Sequence, residues 1–586
     1  MNRIYLPLLL ASALTAHAQG PLTPPGAPSP TMKMLDQIEP RIPITNLPYA
    51  ITQSGSYYLT GNLISAGHGI VVRADNVTVD LMGFRLTGNR STPHRGVLVE
   101  NTDSALPIRN VVIRNGHITD FYTGVWLEKA FDCRVEDIHA TSNVLDGVQI
   151  RYGRGTVLDT IVMTGNGANG LYLYAFGGTS SYHTVKNSRI MHNAEDGVRA
   201  YAGIGGWLAG NRIQKTTISG NAQNGIAFST DSDGVVLGNH IADVIIAQNG
   251  GYGIIASGEY LQFSGNIIAR TQVRGHGGAG IRIRGGLTSL SNQFLDMQVQ
   301  DNGSHGIWIE QRMRGCILAG ATIRGNSGNG ILLDTSDAVY GTAGWIIREC
   351  AITGNDSYGI HTLVDQGTAD GLLIEGNTLS GNGAGGLYFR SRNEGDLHGI
   401  LVRNNAMDGA FPIRFQADGL SKASGGLVIE NTLRGGEYGM IMSARDDGVL
   451  QGFSIMDNVF SGFEEIGLSF GGQDNGINIG HLVAGNQFSA PGAGLGKGMF
   501  TFAAGGGQVE GLWIRENSIA VPHVANIHVS ADSARILVTG NQLATNTPIF
   551  ITGGANVSYG PIAQGSGQMG GGAMSHPWAN LVAEEP

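Results

Sequence analysis

The sequence predicts an all-β, single-stranded parallel β-helix, a solenoid of about eighteen coils, on three observations. Apolar residues alternate over very short runs, each closed by Gly and Asn, and no run is long enough for a helix with an apolar stripe. A Gly followed by an apolar-x-apolar triplet recurs at Gly69, Gly96, Gly124, Gly147, Gly170, Gly197, Gly225, Gly253 and onward to Gly467. Its spacing is roughly 23–30 residues, the range in which self-similarity signals a solenoid. Two columns of Asn keep step with it. One runs from Asn211 through Asn239, Asn266, Asn292, Asn377 and Asn404 to Asn541, the other from Asn166 through Asn193 and Asn221 to Asn382. Stacked Asn side chains hydrogen-bond from layer to layer.

Leu208–Ser229 (LAGNRIQKTTISGNAQNGIAFS) shows one period. Asn211, Ser219-Gly220-Asn221 and Asn224-Gly225 mark three corners between three short strands. One such unit cannot bury its own apolar face, whereas a stack can. This pattern resembles the right-handed, pectin-lyase-like β-helix proteins, across residues 47–557. The resemblance implies a right-handed coil. It leaves activity open, because that fold carries lyases, hydrolases, epimerases, adhesins and phage tailspikes.

Taken in order, Met1–Ala18 has Arg3, an apolar core over Leu6–Leu14 and Ala16-His17-Ala18, which predicts a secretory signal peptide over 1–18 and an exported, secreted or cell-surface protein. No later apolar run is long enough to span a membrane. Residues 19–46 read as a Pro-rich tail and a cap, with Thr31–Ile38 as a short amphipathic helix over the first coil. The solenoid follows over 47–557, with Ala490–Gly498 as an inserted loop. Residues 558–586 read as a Gly-rich flexible tail anchored by Trp578.

Composition excludes some classes. Gly is 92 of 586 residues, charged residues are 14% and the net charge is −10, so no basic footprint for nucleic acid exists. Cys133, Cys316 and Cys350 are an odd set. Aligning the corners puts Cys316 about five residues from the Cys350 column, beyond the ~6 Å a bridge allows. They read as packed thiols, and no CxxC or HxH spacing indicates a metal.

Chemistry is sought on the outward side of the Gly-apolar-x-apolar-x strands, because the x residues point away from the core. The first x column includes Trp126, Tyr172, Arg199, Arg282, Trp308, His361, Tyr388 and Arg414. The second includes Arg151, Tyr174, Tyr201, Arg284, Glu310, Asp334 and Arg390. One cluster is Trp126, Arg151, Tyr172, Tyr174, Arg199 and Tyr201, and a second runs from Arg282 to Arg414. Aromatic platforms and guanidinium forks suit a sugar chain bearing carboxylates or sulfates. The competing account is a solvated sheet face filled with good strand formers, which the Ile and Leu of the same columns favour.

The sequence therefore reads as an exported protein acting on an acidic polysaccharide, as a lyase or a hydrolase; the alternative is a non-catalytic, carbohydrate-binding solenoid. For a lyase, His361 is the base and Tyr388 the acid, with Arg390 and Arg414 on the uronate carboxylate. For a hydrolase, Glu310 and Asp334 are the carboxylate pair. Asp233-Gly234, Asp370-Gly371 and Asp447-Gly448 are turn signals first, and calcium (Ca2+), common in lyases of this fold, is the one cofactor they could serve. Asp103 and His276 look like pieces of the polygalacturonase signature, but about six coils separate them and His276 occupies an Asn corner position. The Asp-Pro-His signature of the alginate epimerases is absent.

Overall fold

The computed structural model describes residues 41–565 and 580–583, apart from 92, 104–105, 336–340, 490–495, 522–524, 531, 544–548, 553–556 and 561. The expected signal peptide, Pro-rich tail and cap helix, Trp578 and most of the expected inserted loop lie outside the described residues. Within them every named element is a β-strand and every strand pairing is parallel, forming a solenoid of about 17 turns. Pairing starts at Ile42–Ile44 against Tyr57–Leu59, ahead of residue 47. It continues past 557, where Asn580–Ala583 pairs with Ile562–Gly565 and with Gln542–Leu543, so part of the expected tail is strand.

Many coils hold four strands where three were expected, although Val148–Arg151, Val157–Asp159 and Val162–Thr164 make a coil of three. Val198–Ala202, Trp207–Ala209, Arg212–Gln214 and Thr217–Ser219 make one coil. Each pairs with its counterpart in the next, so that Val198 faces Ile226, Trp207 faces Val235, Arg212 faces His240 and Thr217 faces Ile245. The additional strand arises because Gly203–Gly206 breaks the long side of the coil, with Gly205 at φ 62°.

Alternation places the core. Val198, Ile226, Ile254, Ile281, Ile307 and Ile331 stack inward on successive coils at 0–1% exposure. Most three-residue strands of the regular coils send their central residue inward, as Ile213 and Ile218 do. The repeated Gly has a cause that the sequence does not display. Gly225 is not at positive φ; a Cβ there would lie 2.6 Å from the carbonyl oxygen of Gly253 in the next coil and 2.4 Å from Cγ2 of Ile246. The corner Gly220, by contrast, sits at φ 64° and supplies the left-handed turn.

The Asn column at the Gly-Asn corner is a continuous ladder from Asn143 to Asn382. Asn166 Nδ2 donates to Asn193 Oδ1 at 2.9 Å, and Asn193 Nδ2 donates to Asn221 Oδ1 at 2.9 Å. His276 replaces one rung: its Nδ1 accepts the amide of Asn249 and its own amide donates to Asn302 Oδ1. The other expected column divides into two ladders at different corners. Asn211 to Asn292 ends beside Cys316, whereas Asn377 accepts from the amide of Cys350 and begins a second series. Within that series the rung is Asn405, which bonds Asn431, while Asn404 turns away at φ 54°. A one-residue offset at a corner is invisible to spacing alone.

Cys133, Cys316 and Cys350 are buried thiols. Ile317 pairs with Ile346 and Thr322 with Ala351, which keeps Cys316 and Cys350 five positions out of register. No helix of the described residues is long and apolar enough to cross a membrane.

Candidate glycan-binding strip

The two outward columns are in the register that the spacing predicts. The first runs Leu98–Trp126–Gln149–Tyr172–Arg199 and then Arg282–Trp308–Leu332–His361–Tyr388–Arg414, each residue opposite the next. The second places Arg151, Tyr174 and Tyr201 in line, as it does Arg284 with Glu310 and Asp334 with Leu363 and Arg390. Both clusters expected from sequence therefore exist as neighbours in space.

They do not stand freely in solvent as expected. Side chains one coil apart pack on each other, and the strip is a half-buried layer in which Leu98, Gln149, Ala227, Leu332 and Tyr388 are buried. Strand spacing of about 4.8 Å is close to ring-stacking distance, so rings in register necessarily touch.

In the first cluster Tyr174 is the hub. Tyr201 stacks on it at 5.5 Å between centroids, Tyr172 meets it edge-on at 5.8 Å, and the Arg151 guanidinium lies 4.5 Å over it. Arg95 covers the Trp126 ring at 3.8 Å, and the Trp126 indole donates to Glu128. Burial pushes the Tyr172 phenol up to about 12. Tyr201 is likewise raised to about 12, chiefly because its hydroxyl bonds the Asp231 carboxylate. Arg199 sits 4.0 Å from Asp196.

The second cluster is denser. Arg282 lies 4.1 Å over Trp308 and binds Glu310 at 2.5 Å, while also donating to the Tyr252 hydroxyl. His361 lies flat on Tyr388, and Tyr358 packs against Tyr388 at 4.8 Å. Tyr388 donates its hydroxyl proton to Gln416 Oε1 at 2.9 Å, and Arg414 donates to the same oxygen at 2.6 Å. Gln416 in turn donates to Asp418, which also holds Arg390 at 2.8 Å. Arg390 is thus an ion-pair partner within the protein, a correction to its expected role on a substrate carboxylate. Arg414 and Arg284 have no carboxylate within ion-pair distance among the described residues.

Burial, with help from Arg390, His305 and Arg392, lowers His361 to about 3, so the imidazole is neutral at pH 7. Its Nε2 is buried without a hydrogen-bond partner, and so are Trp308 Nε1 and Arg414 Nε. Buried polar atoms are normally paired. These atoms lie in one outward column, where a polar ligand could reach them. Burial also raises Tyr388, which keeps its phenol protonated.

The sequence does not mark Tyr252, His305, Tyr358 and Asp418 as members of this site, and it places Gln416 next to Arg390 in the second outward column without a role. The first three precede the column Gly. At that corner earlier coils carry Asp146, Asn169, Asp196 and Asn224, a second ladder in which Asn169 donates to Asp146 and Asn224 to Asp196. The change from Asn and Asp to Tyr and His was legible as a break in that column. Asp418 belongs to strand extensions, since Phe411–Asp418 is eight residues long, and the alternation of FPIRFQAD was the available signal. The His305 ring meets Trp308 at 5.0 Å, and its Nδ1 accepts the amide of Asn329.

Glu310 and Asp334 follow one another on adjacent coils, as Ile309 pairs with Leu333. Among the described residues no group of three or more His, Cys, Asp or Glu side chains converges as a metal site. The Asp-Gly corners act as turns, with Asp233 accepting the amide of Gly205 and Asp447 at φ 67°.

A family model described as a right-handed beta helix region matches residues 50–235 and 202–368. No curated protein matches the chain in sequence. Among solved structures it is similar to ORF18 of Geobacillus virus E2, at 16% identity over 47% of this chain and 53% of that one, with a TM-score of 0.36. It thus spans about half the length of that protein. It is similar to the periplasmic alginate epimerase AlgG, at 12% identity over 51% of this chain and 76% of that one, with a TM-score of 0.36. The A-module of the Azotobacter vinelandii mannuronan C-5 epimerase AlgE4 matches at 15% identity over 56% of this chain and 87% of that one, with a TM-score of 0.31.

Proposed function

We propose, from the premise that this chain belongs to the right-handed β-helix family, that it is an exported protein acting on an acidic polysaccharide bound along the outward strip. The observation that carries this reading is the second cluster: stacked rings, buried polar atoms without partners, and the guanidiniums of Arg284 and Arg414 without carboxylates. Aromatic faces hold the apolar faces of sugar rings, and guanidinium forks hold carboxylate or sulfate. Export rests on the leader-like Met1–Ala18.

Within that reading β-elimination fits the side chains better than hydrolysis. The His361 ring is neutral and its Nε2 has no hydrogen-bond partner; in the tautomer that carries its proton on Nδ1, Nε2 would take the proton at C5 of a uronate. The C4–O bond then breaks, a C4=C5 double bond forms, and the departing oxygen takes the phenolic proton of Tyr388. Arg414 would neutralise the uronate carboxylate as charge builds at C5. For hydrolysis Glu310 would have to leave Arg282, whose guanidinium already binds it and also donates to the Tyr252 hydroxyl. A non-catalytic binding solenoid is the second reading, favoured by one observation: the Tyr388 hydroxyl is already bonded to Gln416.

The test is a panel of uronic and sulfated polysaccharides. The products expected are unsaturated ends absorbing in the ultraviolet. Reducing ends alone would assign hydrolysis, and binding without products would assign the solenoid.

A further inference from the structure

The outward column does not end with the second cluster. Beyond Arg414 it passes Ile441 and Ser469 and then reaches Phe500, His528 and Phe550, each opposite the next. The three rings form an unbroken series: Phe500 to His528 is 5.0 Å between centroids, and His528 to Phe550 is 4.8 Å. The Lys497 ammonium sits 4.0 Å over the Phe500 ring, with no carboxylate in ion-pair range among the described residues. His528 Nδ1 is buried without a hydrogen-bond partner, like Trp308 Nε1, His361 Nε2 and Arg414 Nε of the same column. Phe550 remains 43% exposed.

Between the clusters the columns carry short or aliphatic side chains. Ala227, Ser229, Ile255 and Ser257 separate the first from the second, and Ile441, Ser443, Ser469 and Gly471 separate the second from this third group. The result is three aromatic and cationic platforms on one line, spaced by low ground. At about 4.8 Å per coil the line from Trp126 to Phe550 is roughly 75 Å.

We infer that Lys497, Phe500, His528 and Phe550 form a third binding platform for the same acidic glycan, which lies lengthwise along the solenoid and touches all three platforms at once. This rests on the reading of the strip as a glycan site. Continuity of the column supports one occupant, since a polymer leaving Arg414 toward the C-terminal end meets Phe500 three coils later. The ring faces suit sugar C–H groups, and Lys497 suits a carboxylate or sulfate. Binding at linked platforms makes each further contact intramolecular, so affinity should climb with chain length.

The experiment measures affinity for size-graded fragments of one bound polyanionic glycan, with parent, Phe500→Ala and Trp308→Ala proteins of verified melting temperature. Phe500→Ala is expected to leave short fragments within twofold of the parent and to weaken chains long enough to span the strip about tenfold or more. Trp308→Ala should weaken both. Loss in Trp308→Ala but parent-like affinity at every length in Phe500→Ala overturns the third platform and keeps the glycan reading. Parent-like affinity in both variants overturns the glycan reading itself. A lowered melting temperature in Phe500→Ala with long-chain affinity intact assigns the ring to packing at the coil end. Lys497→Gln gives a milder second variant, expected to lose long-chain affinity mainly at low salt.

Discussion

The imidazole of His361 lies parallel to the phenol of Tyr388, with ring centroids 4.6 Å apart and planes 14° from parallel. The two groups are side by side on adjacent coils, so neither hydrogen-bonds the other through its ring face. Tyr388 directs its hydroxyl to Gln416, whereas His361 Nε2 has no hydrogen-bond partner. A base and an acid presented in parallel can serve two atoms of one sugar ring.

That arrangement sets the pH dependence. His361 is lowered to about 3 and stays neutral above it, whereas an ordinary imidazole would protonate near 6.5. Cleavage should therefore keep its rate from pH 8 down to about 4.5, without an inflection near 6.5. An acid limb centred near 6.5 would show that the base is another group.

Product chemistry separates the two catalytic assignments. Tyr388→Phe removes the phenolic proton and should lower formation of ultraviolet-absorbing ends by about 10²-fold or more. Glu310→Gln should leave that product within a few-fold. The reverse pattern, with reducing ends lost in Glu310→Gln, would favour the carboxylate pair Glu310 and Asp334.

Charge recognition should reside in the two guanidiniums that lack carboxylates. Arg284→Ala and Arg414→Ala should each weaken binding of a polyanionic glycan, by about 1–2 kcal/mol at low ionic strength and less at high salt. Arg282→Ala is predicted to act differently. It frees Glu310 and uncovers Trp308, so its effect should persist in high salt.

Two substitutions test the scaffold. Ile281→Asp places a charge at a fully buried position and should cost about 3–5 kcal/mol, seen as an earlier denaturation midpoint. Asn221→Ala removes the acceptor of the Asn193 amide and side chain and the donor to Asn249. With buried groups left unpaired, about 2–4 kcal/mol should be lost. A parent-like midpoint in either variant would contradict the register in which Ile281 and Asn221 face inward.

Acid should weaken the fold through the buried histidines. His183 and His481 are lowered to about 3 and His276 to about 4, all by burial. Above about 6.5 they are neutral both folded and unfolded and contribute nothing. As pH falls below that value the unfolded chain takes up protons that the folded chain refuses, so stability declines toward pH 3–4. Asp146, raised to about 6, acts the other way between 6 and 4, but three histidines outweigh it. Replacing His276 by Asn, the residue of its neighbouring rungs, should make the fall in melting temperature between pH 7.5 and 4.5 shallower, with the part due to His183 and His481 remaining.

The sequence alone specifies the solenoid, its inward ladder and pairings along the outward columns such as Trp126 with Gln149 and His361 with Tyr388. Period-two alternation and a recurring Gly leave one register in which Ile281 is buried and Trp308 is not. It could not determine which corner an Asn occupies: Asn292 and Asn377 look equivalent by spacing but stand at different corners, because only backbone geometry counts the residues between turns. Nor could it show why Gly225 is glycine, since the carbonyl that excludes a Cβ belongs to the next coil. The site divides the same way. That His361 neighbours Tyr388 follows from the repeat. That Arg390 is held by Asp418 while Arg414 has no carboxylate partner among the described residues depends on where long side chains settle, and tertiary packing alone decides that.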